Sequence, residues 1–357
     1  MKRCYVIAEA GVNHNGSADM ALRLVDAGAE AGADAVKFQT FDADLVVTPT
    51  ASKAAYQKQA TDAGECQYDM LRKLELSCAA QHDLLARCRQ RRIDFLSTPF
   101  DPESLDFLVD ELGLETIKIA SGEITNAPLL MAAGHKARRI ILSTGMSTLD
   151  EVEQALGILA FAFTGGESPD AGAFAEALRS PEGQAALRDR VTLLHCTSAY
   201  PTPPTAVNLR AMDTLRGHFG LNTGLSDHSA GIAVAIAAVA RGAAVIEKHF
   251  TLDRGLPGPD HAASLEPDML TAMIDGIRIV EQALGDGRKA PAEAELCNIP
   301  LARRALVAAR PIKAGEPFTT ENLIAKRPAR GISPMQFWDV LGRTALRDFA
   351  TDEPIDL

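Results

Sequence analysis

Between residues 4 and 285 the chain alternates short apolar runs with longer helical stretches, and few architectures accept that rhythm. Strands are predicted at residues 5–8, 35–38, 93–96, 116–119, 140–142, 191–194, 220–225 and 244–247. Helical patterns fill the gaps, as at 18–31, 79–91, 150–160 and 268–284. Eight such units fit a (β/α)8 barrel better than an open doubly wound sheet. No GxGxxG follows the first strand, which weakens the dinucleotide-binding alternative. Polar stretches at 46–74 and 164–190 lack a clear strand and read as a long loop and an insertion, the kind of decoration that often carries function.

A barrel of this class keeps its chemistry at the C-terminal ends of its strands. GLSDH (224–228) and VIEKH (245–249) each place a histidine just past an apolar run. An Ala-rich segment between them, residues 229–241, reads as a helix with Gly242 as its stop. Either histidine alone is most simply a satisfied structural group, but two imidazoles at adjacent strand ends can share one divalent metal. The other strand ends offer Glu9, Lys37, Gln39, Thr98, Lys118, Ser121, Glu123, Ser143, Ser198, Tyr200 and Ser226. Two lysines with a set of hydroxyls suit a phosphorylated anion, whose oxygens accept from both. Laying residues 32–39 against 242–249 puts Lys37 and Gln39 on one strand face and Glu247 and His249 on the equivalent one.

Composition narrows the class further. The formal net charge of −11 gives no electrostatic footprint for nucleic acid or an anionic membrane. Apolar residues make up 46% of the 357, yet no run of about 20 of them occurs, so no membrane span is expected. The six cysteines show no CxxC spacing and read as reduced thiols of a cytoplasmic protein. The N-terminus turns polar too soon for a secretory signal. From about residue 286 the texture changes: 286–300 reads as a linker, and 301–357, with short strands punctuated by Gly and Pro, as a small β-rich module with a thin core.

The motifs IAEAGVNHNG (7–16), AVKFQTF (35–41), STPFD (97–101), KIASGE (118–123), LSTGM (142–146), HCTSAYP (195–201), GLSDHS (224–229), IEKHFTLD (246–253) and GPDHAASLEP (258–267) resemble the sialic acid synthase family. KRPARGISP (326–334) resembles that family's antifreeze-like (SAF) module. The resemblance runs over essentially the whole chain, with the motifs in family order. It implies a TIM barrel at 1–285 followed by a SAF domain, condensing phosphoenolpyruvate with an N-acylated amino sugar. N-acetylmannosamine, giving N-acetylneuraminate, is the first expectation, and the 6-deoxy diacetamido sugar leading to legionaminate the alternative. His228 and His249 match the two protein ligands to manganese, with magnesium or cobalt as other candidates. Lys37, Thr98, Lys118, Ser121, Ser143 and Ser226 match the phosphoenolpyruvate site. Glu9, Gln39, Tyr200 and Asp260 match positions that meet the amino sugar. Glu123 matches a position between the substrates and is the expected proton-transfer group, although its role and that of Glu9 are exchangeable. Arg327 matches an arginine inserted into the partner subunit's site in a domain-swapped homodimer. Ser198 stands where some members have Asn, which leaves open the contact made there.

Overall fold

The computed structural model describes residues 3–54, 57–58, 61–62 and 64–357. It contains an eight-stranded parallel sheet whose strands are β1 (Tyr5–Gly11), β2 (Ala35–Thr40), β3 (Asp94–Pro99), β4 (Thr116–Ile119), β5 (Arg139–Ser143), β6 (Val191–Cys196), β7 (Asn222–Asp227) and β8 (Val245–His249). β1 pairs with both β2 and β8, while β3 and β4 lie side by side and complete the ring. This is the expected TIM-type barrel.

Two-residue alternation divides each strand between two cores. Val6, Ala8 and Ala10 of β1, Val36 and Phe38 of β2, and Phe95 of β3 face outward into the main cluster beneath the helices. Ile7, Ala35, Leu96, Ile141, Leu194 and Val245 face inward and form an apolar plug in the barrel. One inward step further along the same strands come Glu9, Lys37, Thr98, Ser143, Cys196 and Glu247. The plug keeps water out below, and the layer above it is polar.

The helices follow from their caps as well as their apolar faces. Helix Ala18–Glu30 starts at Ser17, whose side chain accepts from the Met20 amide, and helix Leu149–Phe163 starts at a Thr148/Glu151 capping box. Three local expectations are corrected. The Ala-rich helix spans Ala233–Ala240 rather than starting at 229, because Asp227 Oδ1 accepts from both the amide and the hydroxyl of Ser229 and ties that segment into a turn. Gly242, with φ +82°, does end it. The 164–190 insertion is mostly helical, comprising Ala171–Arg179 and Pro181–Arg190, each started by an N-cap side chain. Several strands run further than expected, β1 to Gly11 and β8 to His249, so the polar residues at their ends sit on regular strand rather than on loops.

Within the 46–74 segment, helix Gln67–Arg72 packs its buried Met70 inward. Buried Lys53 pins the preceding loop, donating to Thr61 Oγ1 at 2.8 Å, to Glu65 Oε1 at 3.2 Å and to the Asp62 carbonyl.

The chain divides into two compact units, Met1–Gly285 and Asp286–Leu357. The second has its own core of Leu306, Ala308, Ile312, Phe318, Leu323, Val340, Ala345, Phe349 and Ile355, around an antiparallel pair, β9 (Ala305–Ala308) with β10 (Leu323–Lys326). Among the described residues no helix is long and apolar enough to cross a membrane, and all six cysteines are free.

Candidate active site

A cavity of about 470 Å3 opens above the apolar plug at the C-terminal ends of the strands. Glu9, Lys37, Gln39, Thr98, Lys118, Ser121, Ser143, Ser198, Tyr200, Ser226, His228, His249 and Asp260 all line it. One residue expected here does not line it. Glu123 lies in the 3-10 turn Ser121–Glu123, half-buried, where its carboxylate accepts from the Asn126 side chain at 2.8 Å, and it does not line the cavity. Arg327 follows β10 in the second unit and is exposed.

The floor is a buried ion network set by strand register. Glu9 lies beside Lys37 across β1 and β2, and Ser226 beside Glu247 across β7 and β8. Lys37 Nζ is 2.6 Å from Glu9 Oε2, 3.6 Å from Glu247 Oε2, and donates to Thr98 Oγ1 at 2.9 Å. Glu247 Oε1 accepts from the Ser226 hydroxyl at 2.8 Å and stands 3.5 Å from Lys118 Nζ. Lys118 otherwise donates only a long bond, 3.3 Å, to the Ile119 carbonyl. Lys37 is therefore spoken for by protein groups, whereas Lys118 retains most of its donor capacity for an incoming anion.

Burial raises the Glu9 carboxyl to about 7 against the pull of Lys37. Burial also opposes ionisation of Glu247, but Lys118, Lys37 and the Ser226 hydroxyl outweigh it and hold that carboxyl at about 2. One carboxyl is thus poised to exchange a proton near neutrality while its neighbour stays charged. Burial lowers the Lys118 ammonium, because its charged form has already lost most of its hydration, and a bound anion would favour that charge again.

Beside the lysines is a rim of hydroxyls. Ser143 Oγ is buried without a partner, and Ser121 Oγ accepts from the Gly145 amide at 3.0 Å. A Cβ on Gly145 would stand 2.6 Å from Ser198 Oγ and 2.7 Å from Ser121 Oγ, so no side chain fits there. Hydroxyls, one of them oriented by the Gly145 amide, and a lightly held ammonium form a cradle suited to a phosphate.

The ring centroids of His228 and His249 are 5.4 Å apart, and the Tyr200 ring lies 4.2 Å from His228. His228 Nδ1 donates to the Thr197 carbonyl at 2.9 Å, which leaves its Nε2 as a lone-pair donor. His249 Nδ1 is buried without a partner, and burial with the nearby cations keeps this ring neutral. Burial disfavours the charged form of His228, but its contacts with the Cys196 thiol and the Thr197 carbonyl outweigh that and raise this ring, so a divalent cation at Nε2 would displace its proton, whereas His249 is already neutral with Nδ1 unspent; on that chemistry the two residues fit a metal. No cluster of three or more His, Cys, Asp or Glu with ligand geometry occurs among the described residues, so the remaining coordination positions would fall to water and substrate. Burial raises the carboxyl of Asp260, which also lines the cavity, to about 6.

The last wall was not foreseen from the sequence. Val12, Phe41, Met70, Leu71 and Leu74 form a separate apolar cluster, and with Val46 they line the cavity. The 46–74 stretch shows no sustained periodicity, so nothing in its pattern marked these positions. Glu247 was also missing from the expected ligand-contacting set. The face shared with His249 was its signal, because two strand residues apart means the same side.

The NeuB family model matches residues 24–289, three-quarters of the chain, and the SAF domain model matches 303–357. The chain belongs to the NeuB family. Among its relatives, the N,N'-diacetyllegionaminic acid synthase of Campylobacter jejuni is 46% identical over 355 residues, 99% of each chain. The enzyme of the same name from Legionella pneumophila is 44% identical over 95% of this chain and 89% of its own. The crystal structure of N-acetylneuraminic acid synthetase from Leptospira borgpetersenii, in complex with citrate, matches with TM-score 0.66 and 33% identity, covering 84% of this chain and 90% of that one. NeuB membership accounts for the barrel and its strand-end motifs together, and the SAF match for the change of texture after residue 300.

Proposed function

We propose that this NeuB-family chain condenses phosphoenolpyruvate with 2,4-diacetamido-2,4,6-trideoxymannose to give N,N'-diacetyllegionaminate and phosphate. The observation that carries the reading is a single cavity lined by a lysine–hydroxyl cradle, by His228 and His249, and by an apolar wall. A 6-deoxy sugar bearing two acetamido groups has more apolar surface to set against Val12, Met70 and Leu74 than N-acetylmannosamine, whose C6 carries a hydroxyl. The two legionaminic acid synthases at 46% and 44% identity favour the same acceptor. N-acetylneuraminate synthesis from N-acetylmannosamine is the second reading, supported by the structural likeness to the Leptospira enzyme.

Each residue's part follows from its surroundings. Lys118, with Ser121, Ser143 and Thr98, holds the phosphate and carboxylate of phosphoenolpyruvate, and Lys37 and Ser226 complete the field beneath. Gln39, Tyr200 and Asp260 hold the amino sugar, so that C3 of phosphoenolpyruvate faces its aldehyde carbon. His228 and His249 hold a divalent ion, manganese first and magnesium or cobalt otherwise, which when bound supplies Lewis acidity at the aldehyde oxygen. The new C–C bond leaves C2 electron-deficient. Water adds there and phosphate leaves with the bridging oxygen, so one water is consumed per turnover. Glu9 takes the proton released by that water and returns it to the former aldehyde oxygen, which becomes a hydroxyl: it lines the cavity and titrates near neutrality, whereas Glu123 is not among the lining residues.

Arg327 completes the site of a second subunit in a domain-swapped homodimer, a reading supported by its exposure in a unit with a core of its own. Six unpaired thiols suit a reducing cytoplasm. Incubation with phosphoenolpyruvate and each sugar, with mass analysis of the products, tests the assignment. Turnover at least tenfold more efficient with the diacetamido sugar supports it, and a preference for N-acetylmannosamine transfers it to the second reading.

A further inference from the structure

NHNG (13–16) contributes no side chain to the cavity, yet Asn13 and His14 are buried. The side-chain amides of Asn13 and Asn15 reach Phe250, just past β8, and the loop from Thr251 to Glu266 that carries Pro259 and Asp260. Asn13 Nδ2 donates to the Phe250 carbonyl at 2.8 Å and to Ser264 Oγ at 2.9 Å. Ser264 Oγ in turn donates to the Asp260 carbonyl at 2.7 Å. Asn15 Nδ2 donates to the Pro257 carbonyl at 2.8 Å, and Asn15 Oδ1 lies 3.1 Å from His261 Nε2. That oxygen only accepts, so His261 carries its proton on Nε2, and its Nδ1 accepts from the Thr251 hydroxyl at 2.6 Å. Gly258 passes so closely that a Cβ there would stand 2.7 Å from both Asn15 Oδ1 and His261 Cδ2.

We propose that Asn13, Asn15 and His261 are positioning residues that staple the loop to the β1 turn and thereby fix Asp260 opposite Glu9. The residues on both sides of Asp260 are anchored, while Asp260 itself is left to line the cavity. Because β1 also carries Glu9, the staple sets the separation between two walls that grip the acceptor. The inference rests on the reading of Asp260 as an acceptor-side group. It assigns the asparagines to acceptor affinity rather than to folding, since a buried polar contact aimed at one loop constrains that loop first.

Asn15 is the place to test it, being only partly buried and outside the cavity lining. Its φ is +51°, so Asn15→Gly removes the amide without straining the backbone, and Asn15→Asp keeps the acceptor for His261 while losing the donor to Pro257. Asn15→Gly is expected to raise KM for the acceptor sugar roughly tenfold, to leave KM for phosphoenolpyruvate within about twofold, and to speed hydrogen exchange of amides in 253–266. Asn15→Asp should fall between wild type and Asn15→Gly on all three. Unchanged exchange in that loop overturns the staple, as does a loss shared equally by both substrates. If Asp260→Asn weakens the acceptor while Asn15→Gly does not, the staple fails and the reading of the site stands. If wild-type enzyme releases no phosphate with any amino sugar, the functional reading fails and the exchange measurement alone decides the staple.

Discussion

Replacing Lys118 by Met removes one charge from the cavity floor while keeping most of the side-chain volume, so packing changes little. In the free protein little holds this ammonium: a 3.3 Å bond to the Ile119 carbonyl and Glu247 at 3.5 Å. Its main role is accordingly the bound anion. Losing one charge-assisted contact to a phosphate in a buried site costs about 3 kcal/mol, or roughly a hundredfold in rate or efficiency. Glu247 keeps Ser226 at 2.8 Å and Lys37 at 3.6 Å, so the variant does not strand a bare carboxylate. Steady-state phosphate release, with each substrate varied in turn, should show kcat/KM for phosphoenolpyruvate down roughly a hundredfold and KM for the sugar within about threefold; Lys118→Ala should do the same with some added loss of stability. A shifted sugar KM with untouched phosphoenolpyruvate kinetics would refute the division of the cavity into two halves.

Chelation should abolish turnover and manganese, magnesium or cobalt restore it, with His249→Ala folded but nearly inactive by circular dichroism and phosphate release; full activity after exhaustive metal removal would contradict the metal assignment. Turnover should fall as pH is lowered through about 7, where Glu9 takes up a proton, and Glu9→Gln should be nearly inactive at every pH. Stability has a separate acid limb. Burial lowers the fully buried His14 to about 4, so below its usual 6.5 the unfolded chain gains a proton that the folded ring refuses. Between pH 6.5 and 4 this costs roughly 3 kcal/mol, and His14→Gln should flatten the fall in Tm over that window. Removing residues after about 290 should leave a folded barrel with little activity, and mixing Arg327→Ala with His228→Ala protein should restore part of it if the modules are exchanged between subunits.

How far the sequence carried can be judged residue by residue. Strand-end chemistry was legible because two constraints coincide there: the apolar plug fixes which face points inward, and the next inward residue is polar. Lys37, Thr98 and Ser143 each stand two positions beyond a plug residue, namely Ala35, Leu96 and Ile141, and His249 stands two beyond Glu247, which is itself two beyond the plug residue Val245. Glu247 escaped the expected set because a carboxylate among the acidic residues of such a chain looks ordinary until its two lysine neighbours are seen. The Val12–Met70–Leu74 wall escaped because contacts between β1 and the 46–74 segment depend on how a buried Lys53 folds that segment, and no local periodicity encodes this. Glu123 differs: its motif position pointed to the cavity, while in the structure its carboxylate accepts from Asn126 within the turn, two residues past the lining Ser121.

The most direct test of the central claim is to run the reaction with phosphoenolpyruvate labelled with oxygen-18 in the bridge between C2 and phosphorus. Water addition at C2, with the phosphate held by Lys118 and the hydroxyl cradle, breaks the C–O bond. The account therefore requires every released phosphate to carry the label and the product's C2 oxygen to come from solvent. Unlabelled phosphate, with the heavy oxygen retained at C2, would mean that the P–O bond breaks instead and that the cavity does not work as a condensing site of the kind described.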